Sequence, residues 1–224
     1  MSIMDIYFAP SKIFSTLREK PRWITPLIII VVVIALTAGL TMTFAREAIL
    51  SQQEEVLRNR GLTEEQLQQA MEFTSGPLAA ISSAVSAVIF TVILLLIFAL
   101  VVNLFIPLFG GESGFKKVFS VICHAMLVVV PAAVLKVIIV ALSKSPYVTT
   151  SLALLGPNLD KGSFAYQLLA GFDVFTIWEM ILVALGISIT NSLVKKNAYI
   201  LVFLVWFVSI FIGIGLGSIF GRGM

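Results

Sequence analysis

Five long apolar runs separated by polar segments set the pattern of the chain. They cover Ile24 to Phe44, Pro77 to about Pro107, about Val118 to Leu142, about Phe164 to Thr190, and Ala198 to about Phe220. A hydrocarbon core about 30 Å thick needs roughly 20 apolar helical residues to cross it. Each run therefore predicts a transmembrane helix, and the fold class expected is an all-α, polytopic bundle of about five spans. Strict alternation of apolar and polar residues is absent, which argues against a barrel. Helices also satisfy their own backbone groups, as lipid requires. The second run is longer than a span needs, so it must tilt, kink or project. Pro131 should kink the third.

Two polar segments have patterns of their own. In residues 1–23, Ile13, Phe14 and Leu17 share one helical face, and Lys12, Arg18 and Glu19 another. Ser11 is placed to cap this helix and Pro21 to stop it. The segment reads as an interfacial amphipathic helix. Residues 45–76, inside the membrane domain of residues 24–220, predict an extramembrane helical hairpin. Gly61 suits the end of its first helix. Thr63 to Gln66 fits a capping box opening the second. Ile49, Leu50, Val56, Leu57, Leu67, Met71 and Phe73 are its candidate packing residues. Glu54, Glu55, Glu64 and Glu65 form an acidic face open to a partner or simply to water.

Composition narrows the class. Of 224 residues, 59% are hydrophobic and 12% charged, and the mean hydropathy is +1.05. A soluble domain carries about 25% charge, so part of this surface must face lipid. The net charge of +3 is spread along the chain, without the basic stripe that nucleic acid needs. The single cysteine, Cys123, rules out a disulfide within the chain and a Cys-rich metal site. The first apolar run begins only after Trp23, unlike a signal peptide.

Basic residues near span ends give an orientation. Lys12, Arg18, Lys20 and Arg22, then Lys116 and Lys117, then Lys195 and Lys196 fall on one side of a five-span chain. The other side has Arg46, Arg58 and Arg60 diluted by glutamates, then Lys144, Lys161 and Arg222. The N-terminus is therefore expected in the cytoplasm and the C-terminus outside.

Ionisable residues inside spans are costly, and so are the first candidates for function. There are three: Lys136, Asp173 and Glu179. Two readings are open, a proton or ion path through Glu179 or Asp173, and a buried charge pair made by Lys136 with one of them. Glu179 shares a helical face with Val183, Gly186 and Thr190. Small residues form ladders that let helices approach closely: Ser209, Gly213, Gly217 and Gly221 in the last span, and Ala79, Ser83 and Ala87 in the second. These predict packing within the bundle or self-association. His124 has no companion ligand, so no metal or other cofactor is expected. Gly110-Gly111-Glu112-Ser113-Gly114 lacks the ending of a phosphate loop and reads as a turn. Neither a nucleophile elbow nor HExxH occurs, and no catalytic residue is assigned.

Several blocks resemble prokaryotic Yip-domain proteins. They are Phe8-Ala9-Pro10-Ser11-Lys12-Ile13-Phe14 with Lys20-Pro21-Arg22-Trp23; Gly110 to Lys117 with Pro131 beyond it; and Asp173-Val174-Phe175-Thr176-Ile177-Trp178, then Gly186, then Lys195-Lys196-Asn197-Ala198. The resemblance implies a five-span bundle in the bacterial inner membrane and no catalysis. Eukaryotic relatives engage Rab-type GTPases, but this chain lacks their long polar N-terminal region. Some bacterial members look like accessory subunits of ABC-type exporters. Within the shared motif, Asp173 and Trp178 are expected to fix the fourth helix.

The function expected is that of a non-enzymatic adaptor or accessory subunit, with the bilayer and a membrane protein or a second copy as partners. The alternatives are a small transporter or channel using Lys136, Asp173 and Glu179, and a lipid-handling or membrane-shaping protein using the N-terminal helix.

Overall fold

The computed structural model describes the backbone of residues 3–146, 148–156, 158–160 and 162–222, and side chains among these except at 73, 77, 79 and 218–222. Eleven α-helices are present among the described residues. In chain order they are α1 (Asp5–Phe8), α2 (Pro10–Glu19), α3 (Ile24–Phe44), α4 (Arg46–Asn59), α5 (Glu64–Ser75), α6 (Pro77–Phe105), α7 (Phe115–Ala125), α8 (Val129–Ser143), α9 (Phe164–Ala170), α10 (Val174–Thr190) and α11 (Lys195–Arg222). The described residues form no strand, only an isolated bridge between Ser151 and Asp173. This is an all-α, multi-pass membrane protein.

Among the described residues, four stretches are long and apolar enough to cross a membrane: Ile24–Phe44, Ala80–Phe109, Phe115–Ser143 and Lys195–Gly217. In the first, only 6% of the most apolar window is buried inside the protein, which leaves its surface for lipid. The third is two helices, α7 and α8, joined by a 3₁₀ turn at Met126–Val128. Pro131 lies just beyond the turn. It has no N–H for the carbonyl four residues back, so the regular ladder fails there.

The fourth predicted run is not one continuous span. It breaks between α9 and α10, at Gly171–Asp173. Asp173 adopts an extended conformation (φ −94°, ψ 141°) and caps α10. The cap replaces the missing intrahelical acceptors for the first N–H groups. What remains apolar and helical is the 17-residue α10, about 25 Å long.

The chain divides into two compact units. The first comprises Met1–Ile30, Val92–Val129 and Thr149–Gly223. Its core is α10, packed on α11, α2 and α7. Ile13, Phe14 and Leu17 of α2 are fully buried. The apolar stripe that the sequence assigns to lipid is therefore covered by α7 and α10. Helix α2 also starts differently from expectation. Pro10 occupies its first turn after Ala9, and Ser11 makes no cap; its carbonyl accepts from the Ser15 hydroxyl at 2.9 Å. Proline suits the first turn because its missing N–H would have no partner there anyway.

The second unit comprises Val31–Thr91 and Val130–Val148. Helices α4 and α5 pair as a hairpin. Gly61, at φ +75°, makes the turn that a side chain would strain, and its N–H reaches the Arg58 carbonyl at 2.9 Å. The Thr63 N–H donates to Gln66 Oε1 at 3.1 Å and the Gln66 N–H to Thr63 Oγ1 at 3.3 Å, which is a reciprocal capping box. Arg46 closes the base by donating to the Ser75 carbonyl at 2.7 Å. Lys144 sits 5.6 Å from the centroid of the Phe44 ring.

Candidate functional site

The polar chemistry of the first unit gathers at the two ends of α10 and at one point along its length. At its C-terminal end, three asparagines hold the glycine-rich turn that follows α6. The Asn103 side chain accepts from the Gly114 N–H at 2.7 Å. Asn191, fully buried, donates through Nδ2 to the Glu112 carbonyl at 2.8 Å. Its backbone carbonyl accepts from the Glu112 N–H at 2.9 Å, and its Oδ1 accepts from the Thr190 hydroxyl at 2.7 Å. Asn197 donates to the Phe109 carbonyl at 2.8 Å. Each amide satisfies backbone groups that a helix end leaves open. The turn needs its glycines. Gly110 has φ +86°, and a Cβ at Gly111 would lie 2.8 Å from Ile106 Cγ2 and 3.1 Å from the Asn191 carbonyl oxygen.

Basic side chains ring this end. Lys116 and Lys117 lie in the first turn of α7, and Lys195 and Lys196 open α11. Arg18 reaches the Ser192 hydroxyl at 3.4 Å. Trp23, next to Arg22, packs on Phe119 at 5.5 Å between ring centroids, and Phe119 stacks on Phe115.

Along α10, Gly186 is the closest crossing. A Cβ there would strike Val121 Cγ1 and come within 3.0 Å of the Phe14 ring. Further toward the start of α10, Trp178 meets the Tyr7 ring edge-on at 5.9 Å. The Tyr7 hydroxyl donates to the Leu127 carbonyl at 2.6 Å. Burial raises the Tyr7 pKa above its ordinary value near 10.

At the N-terminal end of α10, Asp173 Oδ1 accepts from the Phe175 and Thr176 N–H groups at 2.8 and 3.3 Å. Its Oδ2 accepts from the Thr150 hydroxyl. The Leu152 N–H donates to the Phe172 carbonyl at 3.0 Å, and Ser151 caps the 3₁₀ turn at Leu152–Leu155. Gly171 and Phe172 then press on α11. A Cβ at Gly171 would lie 2.9 Å from Ile210, and Phe172 meets Trp206 edge-on at 5.4 Å.

These placements sort the predicted residues. Asp173 is a helix cap rather than an acid in mid-span. Lys136 is exposed on α8, and Glu179 is half-buried on α10. Among the described residues, the ion pairs are Lys12–Asp5, Arg58–Glu54 and Arg58–Glu64. The expected pairing of Lys136 with Asp173 or Glu179 is not among them. Of the small-residue ladders, Ser209, Gly213 and Gly217 are exposed, as is Ser83, and Ala87 is half-exposed. Ala79 and Gly221 lie outside the residues whose surroundings are described, as do the side chains of Phe73 and Arg222 and all of Lys161. His124 is buried, with Nδ1 2.8 Å from the Ser120 carbonyl. Among the described residues no cluster of His, Cys, Asp or Glu could hold a metal ion.

On the hairpin, Arg58 engages two of the four glutamates of the acidic face, Glu54 at 3.1 Å and Glu64 at 2.8 Å. Their carboxylates raise the Arg58 pKa above its usual value. An open groove of about 350 Å³ runs beside them, lined by Gln52, Gln53, Val56, Leu57, Arg60 and Thr74.

No motif or spacing in the sequence marks Tyr7, Asn103 or Asn191 for a role. The two asparagines carry one weak signal, a polar amide at the end of an apolar run. Comparison with family models finds that the Yip1 domain matches residues 4–217. Comparison with curated proteins and with solved structures finds no match.

Proposed function

The chain belongs to the Yip1 domain family, and on that premise we propose that it is a non-enzymatic adaptor or accessory subunit for other membrane proteins. Its N-terminus and asparagine-clamped end face the cytoplasm in this reading, and its C-terminus lies outside. An ABC-type exporter is the candidate partner that the resemblance of its motifs suggests.

The observation that carries this reading is the free face of α11. Ser209 and Gly213 are exposed, and a Cβ at Gly213 would meet nothing within 4 Å. Small residues at a four-residue spacing allow close helix approach in lipid. Among the described residues, none comes within 4 Å of a Cβ at Gly213. Meanwhile Asp173, Asn103, Asn191 and Asn197 are engaged in fixing helix ends, which suits a scaffold. Purification in mild detergent should recover a stoichiometric membrane partner or a homo-oligomer, and Gly213→Leu should weaken it. Recovery of only the monomer would overturn the reading.

The rival reading is a small transporter. It rests on Glu179, a half-buried carboxylate in an apolar helix that takes part in none of the ion pairs among the described residues. Liposome flux that disappears in Glu179→Gln would decide for it. A membrane-shaping N-terminal helix would need a free apolar face, and that face is covered.

A further inference from the structure

We propose that the asparagine-clamped end of the first unit is a binding site for the phosphate groups of anionic lipids. It gathers seven cations from three separate segments. Lys116 and Lys117 come from α7, Lys195 and Lys196 from α11, and Arg18, Lys20 and Arg22 from the N-terminal stretch. The hydrogen bonds of Asn191 to Glu112 and of Asn197 to Phe109 join the turn leading into α7 to the start of α11. Arg18 touches Ser192 in the link between α10 and α11. The Trp23–Phe119 contact brings Arg22 alongside the first turns of α7.

None of the seven takes part in an ion pair among the described residues. No carboxylate among the described residues neutralises them by direct contact. The arrangement also breaks a local rule. A helix N-terminus carries partial positive charge and favours acidic neighbours. Both α7 and α11 open instead with paired lysines and no acidic residue in the first turn. Where a sequence departs from a local preference, function is the usual reason.

The source of the anion follows from position. Arg22 precedes the span that begins at Ile24, Lys116 and Lys117 lie at the start of the Phe115–Ser143 span, and Lys195 and Lys196 open the last. The cations thus stand at headgroup level, where basic side chains meet anionic lipid. A dispersed ring in which Lys116, Lys195 and Lys196 are exposed and Lys117 half-buried suits several headgroups at once, not one small ligand held in a pocket.

The test uses the full chain in mild detergent with phosphatidylglycerol and phosphatidylcholine in equal amounts, read by native mass spectrometry of retained lipid. Phosphatidylglycerol should be retained at least about fivefold over phosphatidylcholine, and the preference should fall as salt rises. The combined variant Lys116→Gln, Lys117→Gln, Lys195→Gln, Lys196→Gln should lose most of it. Arg58→Gln with Arg60→Gln, on the hairpin, should keep it. If the fourfold variant does not fold, Arg18→Gln with Arg22→Gln should still lower the preference severalfold. Equal retention of the two lipids by the wild type would overturn the proposal. So would a preference unchanged in the lysine variants, or one abolished by a few millimolar inorganic phosphate, which would identify a free-anion site.

Discussion

The Tyr7 hydroxyl donates to the carbonyl of Leu127, the carbonyl that residue 131 would reach in a regular helix and that Pro131, having no N–H, leaves open. A phenol from the N-terminal segment thus closes a gap made by a proline in the third span. The same ring packs on Trp178. One residue thereby ties the start of the chain to α10 and to the turn between α7 and α8.

Replacing this residue has a defined cost. Tyr7→Phe should lower stability by about 1 kcal/mol, the net worth of one neutral hydrogen bond, while preserving the edge-on contact with Trp178. Thermal unfolding in detergent measures it.

Alkaline pH tests the same contact from the other side. Burial raises the folded pKa of Tyr7 above its unfolded value near 10. The stabilisation it provides is then complete below pH 10 and is lost as pH rises through the higher folded value. Ultraviolet titration of wild type against Tyr7→Phe should show one phenol ionising late, and that late step should be missing in the variant.

The two glycine environments should respond in opposite ways. Gly186→Ala drives a methyl group into Val121 and Phe14, and overpacking of this kind costs about 1–3 kcal/mol. Gly213→Ala meets open space, so the monomer should be unchanged or gain up to about 1 kcal/mol from helix propensity. Comparing the two melting temperatures distinguishes packing within the molecule from a face kept free for a neighbour.

Asp173 separates capping from proton transfer. Asp173→Ala should cost about 1 kcal/mol, whereas Asp173→Asn keeps an oxygen for the Phe175 and Thr176 N–H groups and should cost less. A proton path would fail in both variants. Partner recovery and liposome flux, measured side by side, tell which pattern holds.

Asn191→Ala should be more damaging than either. It leaves the part-buried Glu112 carbonyl without its side-chain donor, at about 1–3 kcal/mol for a group left without a partner, while the Thr190 hydroxyl keeps its bond to the Gly186 carbonyl. Loss of folded protein after mild heating is the expected readout.

Membrane spans are legible in a sequence because lipid burial needs only apolar composition over a given length, which a run such as Ile24–Phe44 displays directly. The capping box at Thr63–Gln66 is legible because both partners lie three residues apart. The break at Gly171–Asp173 leaves no mark in the hydrophobic pattern, because the run around it is apolar on both sides. Asp173 followed by an apolar stretch reads equally as an intramembrane acid or as a helix cap. The asparagine clamp and the Tyr7 contact join residues 11 to 120 positions apart, and no local pattern announces which carbonyl such a side chain will find. For α2 the sequence displays the amphipathic stripe but not what covers it: a helix face that suits lipid also suits a protein groove.

The clamp at Asn103, Asn191 and Asn197 ties the end of α6, the beginning of α7, the finish of α10 and the outset of α11 into one knot. Three side-chain amides do the work of a cross-link. A pull on any one of those four helices is therefore handed to the other three at this end.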